Sequence, residues 1–206
     1  SNPNAYAKHF YIDGKEFSGI VVLSGETYYI SDSRFVNNTE ITEVIIEEGV
    51  TLIGQSAFQG CTNLRKITLP ATLKNINQFA FLNCDNLTEV VFNGSLEDWF
   101  NINFTIYNYL LEHAINLYIG GEDIANKSFV IPNTITNINE DAFAGFKGLT
   151  EVVISANVVS IGNRAFDGCV NLSKVTFAEN SKLETIGVWT FSDSGIVSID
   201  IPNVVT

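Results

Sequence analysis

The chain has 206 residues, of which 46% are hydrophobic and 17% charged, so it has a globular composition and is long enough to bury a sizeable core. Its 23 acidic and 11 basic residues give a formal net charge of -12, which repels phosphate backbones and anionic lipid surfaces. Nucleic acid is therefore not an expected partner, and because no apolar run reaches about 18 residues we expect no membrane span in this chain.

Residues 1–40 are predicted to form an N-terminal β cap. The segment FYIDGKEF, which begins at Phe10, has Asp13-Gly14 between two strand-like flanks, and this pattern is typical of a β-hairpin. The first ten residues lack the charged-then-apolar plan of a signal peptide. We expect the cap to cover the apolar end of the structure that follows it.

An Ala-Phe motif then recurs along the chain. It occurs in IGQSAFQGCTNL from Ile53, INQFAFLNCDNL from Ile76, INEDAFAGFKGL from Ile138, IGNRAFDGCVNL from Ile161 and, with Thr for Ala, IGVWTFSDSGI from Ile186. The first and second copies are 23 residues apart, the third and fourth copies are also 23 residues apart, and the fourth and fifth are 25 residues apart. A period of roughly 20 to 29 residues is typical of leucine-rich repeats.

Each repeat contains one strand and one tightly turned segment. In LRKITLP, Ile67 and Leu69 alternate as in a strand with one buried face, and Pro70 ends it. In NQFAFLNC, Phe81 and Cys84 are three residues apart, as in one or two helical turns. The predicted fold class is therefore α/β, a right-handed solenoid with a parallel sheet on one face and short helices or turns on the other.

The pattern LxxIxLPxxLxxIxxxAFxxCxxL, from Leu64 to Leu87, resembles the BspA-like subclass of leucine-rich repeats, which occurs in bacterial surface proteins and some protist ones. The resemblance covers about Ile41 to Pro202. Ordinary leucine-rich repeats have an asparagine at one position of every repeat, which forms an asparagine ladder. In this chain only two of the five equivalent positions hold Asn. These positions are Gly49, Thr72, Thr134, Asn157 and Asn180.

The predicted organisation is a cap over 1–40, repeats over 41–92, an insertion over 93–133 and repeats over 134–206. Because the pattern stops at IPNVVT, we expect the array to be truncated there and any export signal or anchor to lie outside the chain. Asn93–Asn116 is predicted to leave the solenoid as an irregular protrusion, and Leu117–Pro132 to re-enter it as a hairpin and a strand.

The insertion resembles the Trp-bearing insertions of the same family and is one candidate binding site. SLEDW, from Ser95, is predicted to begin a helix with Ser95 as the N-cap and two acids at its positive end. Trp99, Tyr107 and Tyr109 are the candidate ligand-facing side chains, although a buried position is the alternative for Trp99. Trp189, in the last repeat, is expected to be partly exposed.

No residue pattern indicates catalysis, a cofactor or a metal. Cys61, Cys84 and Cys169 are interpreted as free core thiols, since equivalent positions hold Phe146 and Ser194. Neither His9 nor His113 belongs to a triad or an HExxH pair, and His113 is expected on an exposed part of a helix. We therefore expect no enzymatic activity.

The outward face of the sheet is the other candidate binding site, because alternate strand residues point away from the core. Solenoids bind partners on such continuous surfaces. The candidate residues are Glu43, Ile45, Lys66, Thr68, Glu89, Val91, Glu151, Val153, Lys174, Thr176, Ser198 and Asp200.

The resemblance implies a non-catalytic protein-binding module of a bacterial cell-surface or secreted protein, acting in adhesion or in contact with host or matrix proteins. Two alternatives remain open from the sequence. One is a structural spacer without a ligand of its own, and the other is carbohydrate binding through the aromatic insertion.

Overall fold

A computed structural model describes residues 11–12, 15–16, 19–23, 28–125 and 128–202. Its strands, in chain order, are β1 Tyr11–Ile12, β2 Lys15–Glu16, β3 Ile20–Leu23, β4 Tyr29–Ile30, β5 Glu43–Ile46, β6 Leu52–Ile53, β7 Lys66–Leu69, β8 Asn75–Ile76, β9 Glu89–Phe92, β10 Asn103–Phe104, β11 Asn116–Ile119, β12 Glu122–Asp123, β13 Ser128–Val130, β14 Asn137–Ile138, β15 Glu151–Ile154, β16 Ser160–Ile161, β17 Lys174–Phe177 and β18 Thr185–Ile186. The one helix of the described residues is α1, Leu96–Phe100.

The molecule is a parallel β-solenoid in which each coil contributes one longer and one two-residue strand. The longer strands form a 6-stranded sheet in the order β12-β11-β9-β7-β5-β3 and a 3-stranded sheet in the order β13-β15-β17. The two-residue strands form a second layer of sheets, β10-β8-β6-β4 and β14-β16-β18. Alternate residues of the longer strands are buried, as the period of two requires. Across the described ranges, no helix combines the length and hydrophobicity needed to cross a membrane.

The segments around Ala-Phe are turns, so of the two predicted alternatives, short helices or turns, the structure has turns. The predicted α/β class is not found, because α1 is the one helix of the described residues. The residue that precedes Ala-Phe, or Thr-Phe in the last copy, has a left-handed backbone in all five copies, with φ of 55° at Ser56, 60° at Phe79, 56° at Asp141, 56° at Arg164 and 57° at Trp189. An α-helix cannot continue through such a residue. The spacing of three between Phe and Cys is therefore produced by a turn rather than by a helix.

The phenylalanines of the repeat form a stacked and buried column. Ring centroids are 5.3 Å apart for Phe35 and Phe58 and 5.4 Å apart for Phe58 and Phe81, with interplanar angles of 10°. A second stretch joins Phe143, Phe166 and Phe191 at 5.6 and 5.5 Å. The repeat predicts one buried column of Phe58, Phe81, Phe143, Phe166 and Phe191. The stacking is confirmed within each half of the solenoid, but the two stretches are separate and Phe191 is only half-buried.

Asparagines that precede the repeat leucine form a ladder that the sequence analysis did not identify. The side-chain amide of Asn63 donates to the Thr39 carbonyl at 2.8 Å, and Asn86 donates in the same way to Thr62 at 2.7 Å. Asn171 donates to the Lys147 carbonyl at 2.7 Å. Each bond satisfies a carbonyl of the preceding coil at a position other than the one that ordinary leucine-rich repeats use.

Residues 93–116 form one long coil of the solenoid, so the predicted protrusion is wrong. β10 pairs with β8 in parallel, and β11 pairs with β9 in the register Asn116↔Glu89. The extra residues are accommodated inside this coil by α1. Ser95 caps α1 as predicted: the Asp98 N–H donates to Oγ of Ser95, and a carboxylate oxygen of Asp98 accepts from the Ser95 N–H.

Both predicted hairpins are present. β1 and β2 pair antiparallel, although the Asp13-Gly14 turn and His9 lie outside the described residues. β11 and β12 also pair antiparallel across Gly120-Gly121, both of which have positive φ. Because β12 folds back on β11, the longer strands are divided into two sheets at this hairpin.

The two halves of the solenoid meet at a seam, defined as the contact between residues 97–114 and residues 134–147. The main chain of Lys147 donates to the Ala114 carbonyl at 3.2 Å, and the side-chain amide of Asn139 donates to the Ile102 carbonyl at 3.1 Å. The Trp99 indole is fully buried in the seam. Its N–H donates to the Ala142 carbonyl at 3.2 Å.

Phe166→Ala should lower the free energy of unfolding by about 3 to 5 kcal/mol, because it removes a fully buried ring that stacks on both sides. Chemical denaturation monitored by circular dichroism measures the change. Phe191→Ala is the matched control, and its half-buried ring at the end of the column should cost less. Equal losses for the two variants would contradict the stacking account.

Candidate functional site

Two parallel rows of side chains run across the exposed face of the larger sheet. The charged row follows the register Ile20↔Glu43↔Lys66↔Glu89↔Asn116, and the β-branched row follows Val22↔Ile45↔Thr68↔Val91↔Tyr118. The smaller sheet repeats both rows in the registers Ser128↔Glu151↔Lys174 and Val130↔Val153↔Thr176. The structure therefore places ten of the twelve predicted sheet-face residues in these rows, six on the larger sheet and four on the smaller one.

Ser198 and Asp200 are the exceptions. Both are exposed, but the structure has no strand at residues 198–200, so the strand predicted there is absent.

Ion pairs between neighbouring strands bridge the charged row. Lys66 Nζ lies 2.8 Å from Glu89 Oε1, and this hydrogen bond raises the pKa of Lys66. Lys174 Nζ lies 3.8 Å from Glu151 Oε2. These pairs are solvent-exposed and contribute little to stability, but they bring the row close to electrical neutrality.

A cavity of about 330 Å³ opens at the outer end of the seam, on the side opposite the longer strands. Tyr107 and Tyr109 line one side of it, and Asp141, Arg164 and Asp167 line another. Gly145 forms part of its wall, and a Cβ at this glycine would lie 2.7 Å from Cα of Glu112. The two halves of the solenoid therefore approach each other closely beside the cavity.

Asp141 is the most buried charged group in this cavity wall. Its Oδ1 accepts from Nε of Arg164 at 3.1 Å, while Nη2 of Arg164 lies 2.9 Å from Oδ2 of Asp167. Oδ2 of Asp141 is buried and accepts no hydrogen bond from the described protein. Burial raises the pKa of Asp141 to about 6, against the opposing effect of the Arg164 guanidinium.

The three aromatic residues proposed for the insertion occupy different environments. Trp99 has no exposed surface, so it cannot face a ligand and is removed from the candidate site. Tyr107 is 38% exposed and stacks on Phe79 at 6.3 Å and on Tyr109 at 6.1 Å. Trp189, by contrast, is 63% exposed, in agreement with the expectation for it.

His113 lies in a turn rather than in a helix, and it is half-buried. Its Nε2 is 3.7 Å from Oδ1 of Asp85 and 3.7 Å from Oε2 of Glu112. Within the described part of the chain, no group of three His, Cys, Asp or Glu residues is arranged to hold a metal ion.

The cysteines have a structural role that their spacing did not indicate. The thiols of Cys61, Cys84 and Cys169 are free and buried. Each donates to the carbonyl of a phenylalanine in the preceding coil at 3.1 to 3.2 Å, and the acceptors are Phe35, Phe58 and Phe143. Burial raises the pKa of all three thiols, to about 12 for Cys61 and Cys169.

Comparison with known families gives a match over most of the chain. The model of a family described as BspA type leucine-rich repeat region matches residues 28–120 and 122–206, with 6 copies of the repeat. No curated protein sequence matches the chain.

Three solved leucine-rich-repeat structures are similar to this chain. A leucine-rich repeat protein of T. pallidum is 22% identical, with a TM-score of 0.49, over 84% of this chain and 75% of that one. A leucine-rich repeat protein of Bacteroides ovatus ATCC 8483 is 21% identical, with a TM-score of 0.49, over 97% of this chain and 51% of that one. A leucine-rich cell surface protein of Faecalibacterium prausnitzii A2-165 is 25% identical, with a TM-score of 0.38, over 81% of this chain and 43% of that one. The chain thus spans about half the length of the last two.

Native thiol labelling should be slow at all three cysteines, because burial keeps the thiols protonated and out of reach of reagent. Mass spectrometry after maleimide treatment measures the extent of labelling, which should become complete on unfolding. Ser173→Cys, at an exposed position, is the control and should label quickly in the native state. Fast native labelling of any of the three natural cysteines would contradict the packing described here.

Asp141→Asn should change how stability depends on pH. The pKa of Asp141 is about 6 in the folded chain against a usual value of 3.8, so its favourable contribution is complete below about pH 4 and is lost as the pH rises through 6. The free energy of unfolding of the wild type relative to the variant should therefore fall over this range, by on the order of 2 kcal/mol. Arg164, Glu140 and Asp167 are the charged groups that act on it.

Urea denaturation of the two proteins at a series of pH values measures this difference. Glu140→Gln is the matched control, since it removes the neighbouring, exposed carboxylate. If the curves of the wild type and Asp141→Asn run parallel between pH 4 and pH 7, the buried carboxylate does not titrate as described.

Proposed function

The chain belongs to the BspA-type leucine-rich-repeat family, and from this premise we propose that it is a non-catalytic protein-binding module that uses the exposed sheet face. The observation that carries the proposal is the pair of rows on that face, each unbroken across the larger sheet. Strand pairing fixes the side chains of Glu43, Lys66 and Glu89 in one line and those of Ile45, Thr68 and Val91 in the next. A flat surface of this kind offers both apolar contact and charge recognition to a protein partner.

The β-branched row supplies the apolar part of this surface. Val22 is 49% exposed at one end of the larger sheet, and Val130 is 57% exposed at the start of the smaller one. Such side chains are stiff, so burying them against a partner costs little conformational entropy. The charged row beside them would align the partner and affect the rate of encounter more than the final affinity.

Location and partner class are part of the same proposal. Because BspA-type repeats occur in bacterial surface proteins, we place the module at the cell surface or among secreted proteins, with host or matrix proteins as partners. Adhesion is the activity that such a surface would support. A spacer role is the second candidate, and the mutual pairing of Lys66 with Glu89 favours it, because a row that satisfies its own charges does not need a partner.

Carbohydrate binding through the 93–133 segment has less support from the structure. Trp99 is buried in the seam, and Tyr107 already stacks on two aromatic neighbours. Sugar recognition commonly requires an accessible aromatic face, and these residues do not offer one.

Glu89→Lys combined with Glu151→Lys should weaken binding to the partner, because each change places a second lysine beside Lys66 or Lys174 on the face. Melting temperature should stay within a few degrees, since exposed charges contribute less than about 1 kcal/mol each. An array of purified matrix proteins and glycans identifies a partner for the wild type, and surface plasmon resonance compares the variants.

Glu40→Lys combined with Glu179→Lys is the matched control, with the same change in net charge at exposed positions outside both rows and outside the seam. Loss of binding in Glu89→Lys with Glu151→Lys, but not in the control, supports the proposal. Equal loss of binding in both double variants would indicate a general charge effect. If Glu89→Lys with Glu151→Lys binds normally and Tyr107→Ala does not bind, the binding site lies at the seam. Absence of any array partner would favour the spacer role.

A further inference from the structure

The cavity at the seam arises where the regular stacking of turns is interrupted. In ordinary coils the amide of the repeat phenylalanine donates to a carbonyl of the next coil, as from Phe58 to Ala80 at 2.9 Å and from Phe81 to Asn108 at 3.0 Å. Among the described residues, no such bond joins Tyr109 to residues 141–143. The turns separate at this point, and the space between them is the cavity.

The chemistry of the cavity wall favours a cation. Four carboxylates line it, with one lysine, one arginine and the imidazole of His113. The acids are Glu112, Asp141, Asp167 and Asp193, and the side chains with a positive charge at neutral pH are Lys147 and Arg164. Arg164 is already paired with two of the acids, so its charge is neutralised within the wall. The wall therefore repels anions, and the net charge of the whole chain, -12, adds to this effect.

Asp141 adds an unused acceptor to this wall. Its side chain is 2% exposed, and Oδ2 receives no hydrogen bond from the described protein while Oδ1 is held by Arg164. A buried carboxylate oxygen without a donor costs free energy, and such groups usually mark a place that another donor completes. The Arg164 contact also fixes the orientation of the carboxylate before any ligand arrives.

The aromatic rings of the cavity restrict the ligand further. The Tyr107 ring stacks with Phe79 and Tyr109, and the Arg164 guanidinium carbon lies 5.2 Å from its centroid. Because its faces are already engaged, this ring is a poor platform for a pyranose. Its edge and the Tyr109 side chain instead form an apolar wall next to the acids, which suits an alkyl chain that ends in a charged donor.

We propose that the seam cavity binds a primary alkylammonium group, with Asp141 as the principal acceptor and Glu112 and Asp193 as supporting charges. The ammonium would bring the donor that Oδ2 lacks, and its alkyl stem would lie against the two tyrosines. A lysine side chain of a protein partner and a free polyamine both present this group. The site is separate from the sheet face, so it can be tested independently of the proposed function.

The test is titration of the purified chain at pH 7.5, where Asp141 is mainly ionised, with Nα-acetyl-lysine methylamide and with spermidine. Isothermal calorimetry measures affinity, and NMR shifts of Tyr107 and Tyr109 report on the location. Nα-acetyl-norleucine methylamide and methyl glucoside are the neutral probes. Saturable binding of an amine that is at least tenfold tighter than that of either neutral probe is the expected result.

Asp141→Asn should weaken amine binding by at least tenfold, whereas Glu140→Gln, which removes the exposed neighbouring charge, should change it less than twofold. The double variant Glu112→Gln with Asp193→Asn keeps the Asp141–Arg164 pair intact and should weaken binding several-fold. It keeps the proposal testable if Asp141→Asn does not fold.

Tighter binding of the lysine derivative than of spermidine would assign the site to a protein partner, and the reverse order would assign it to a polyamine; both support an ammonium site. The proposal is overturned if the norleucine derivative or the glucoside binds as well as the amines, or if no amine saturates. It is equally overturned if the folded carboxylate variants keep wild-type affinity or if Glu140→Gln loses as much as Asp141→Asn.

Discussion

The stacking of one Ala-Phe turn on the next is the contact on which the rest of the solenoid depends. The amide of Phe58 donates to the Ala80 carbonyl at 2.9 Å, and the amide of Phe143 donates to the Ala165 carbonyl at 2.8 Å. This bond requires a small residue before the ring and a left-handed residue before that one, such as Ser56. When both conditions hold, successive rings lie 5.3 to 5.6 Å apart, and the cysteine thiols reach the carbonyls of the preceding coil.

At the seam, among the residues that the structure describes, the hydrogen bond between successive Ala-Phe turns is missing, and three other features of the structure follow from its absence. The coil at 93–116 has Asn108 and Tyr109 where other coils have Ala and Phe, so its turn cannot stack on residues 141–143 in the regular way. Trp99 fills the core that would otherwise be empty, and the β11–β12 hairpin divides the sheet on the opposite side. One irregular coil therefore explains the tryptophan, the divided sheet and the cavity together.

The sequence was sufficient for features that repeat and insufficient for those that occur once. Period and alternation predicted the parallel strands, the stacking of repeat phenylalanines within each half and ten of the twelve sheet-face positions, because every copy of the repeat has the same register. The spacing between Phe81 and Cys84 fits a helical turn and a left-handed turn equally well, so the sequence could not choose between short helices and turns for this face. The seam cavity joins Tyr107 to Asp141, and no periodicity links these positions in the sequence.

Charge is distributed unevenly between the two candidate sites, and this constrains how each of them can act. The two charged rows contain three acids and two bases, namely Glu43, Glu89 and Glu151 with Lys66 and Lys174, and two of these acids are already paired. The chain as a whole carries -12, so most of its negative charge lies away from the sheet face. A partner held on the face therefore gains mainly from contact with the β-branched row, and salt should weaken that contact only modestly. The seam cavity, with four acids against Lys147 and Arg164 and with one buried acceptor, has the larger excess of acidic over cationic side chains of the two sites.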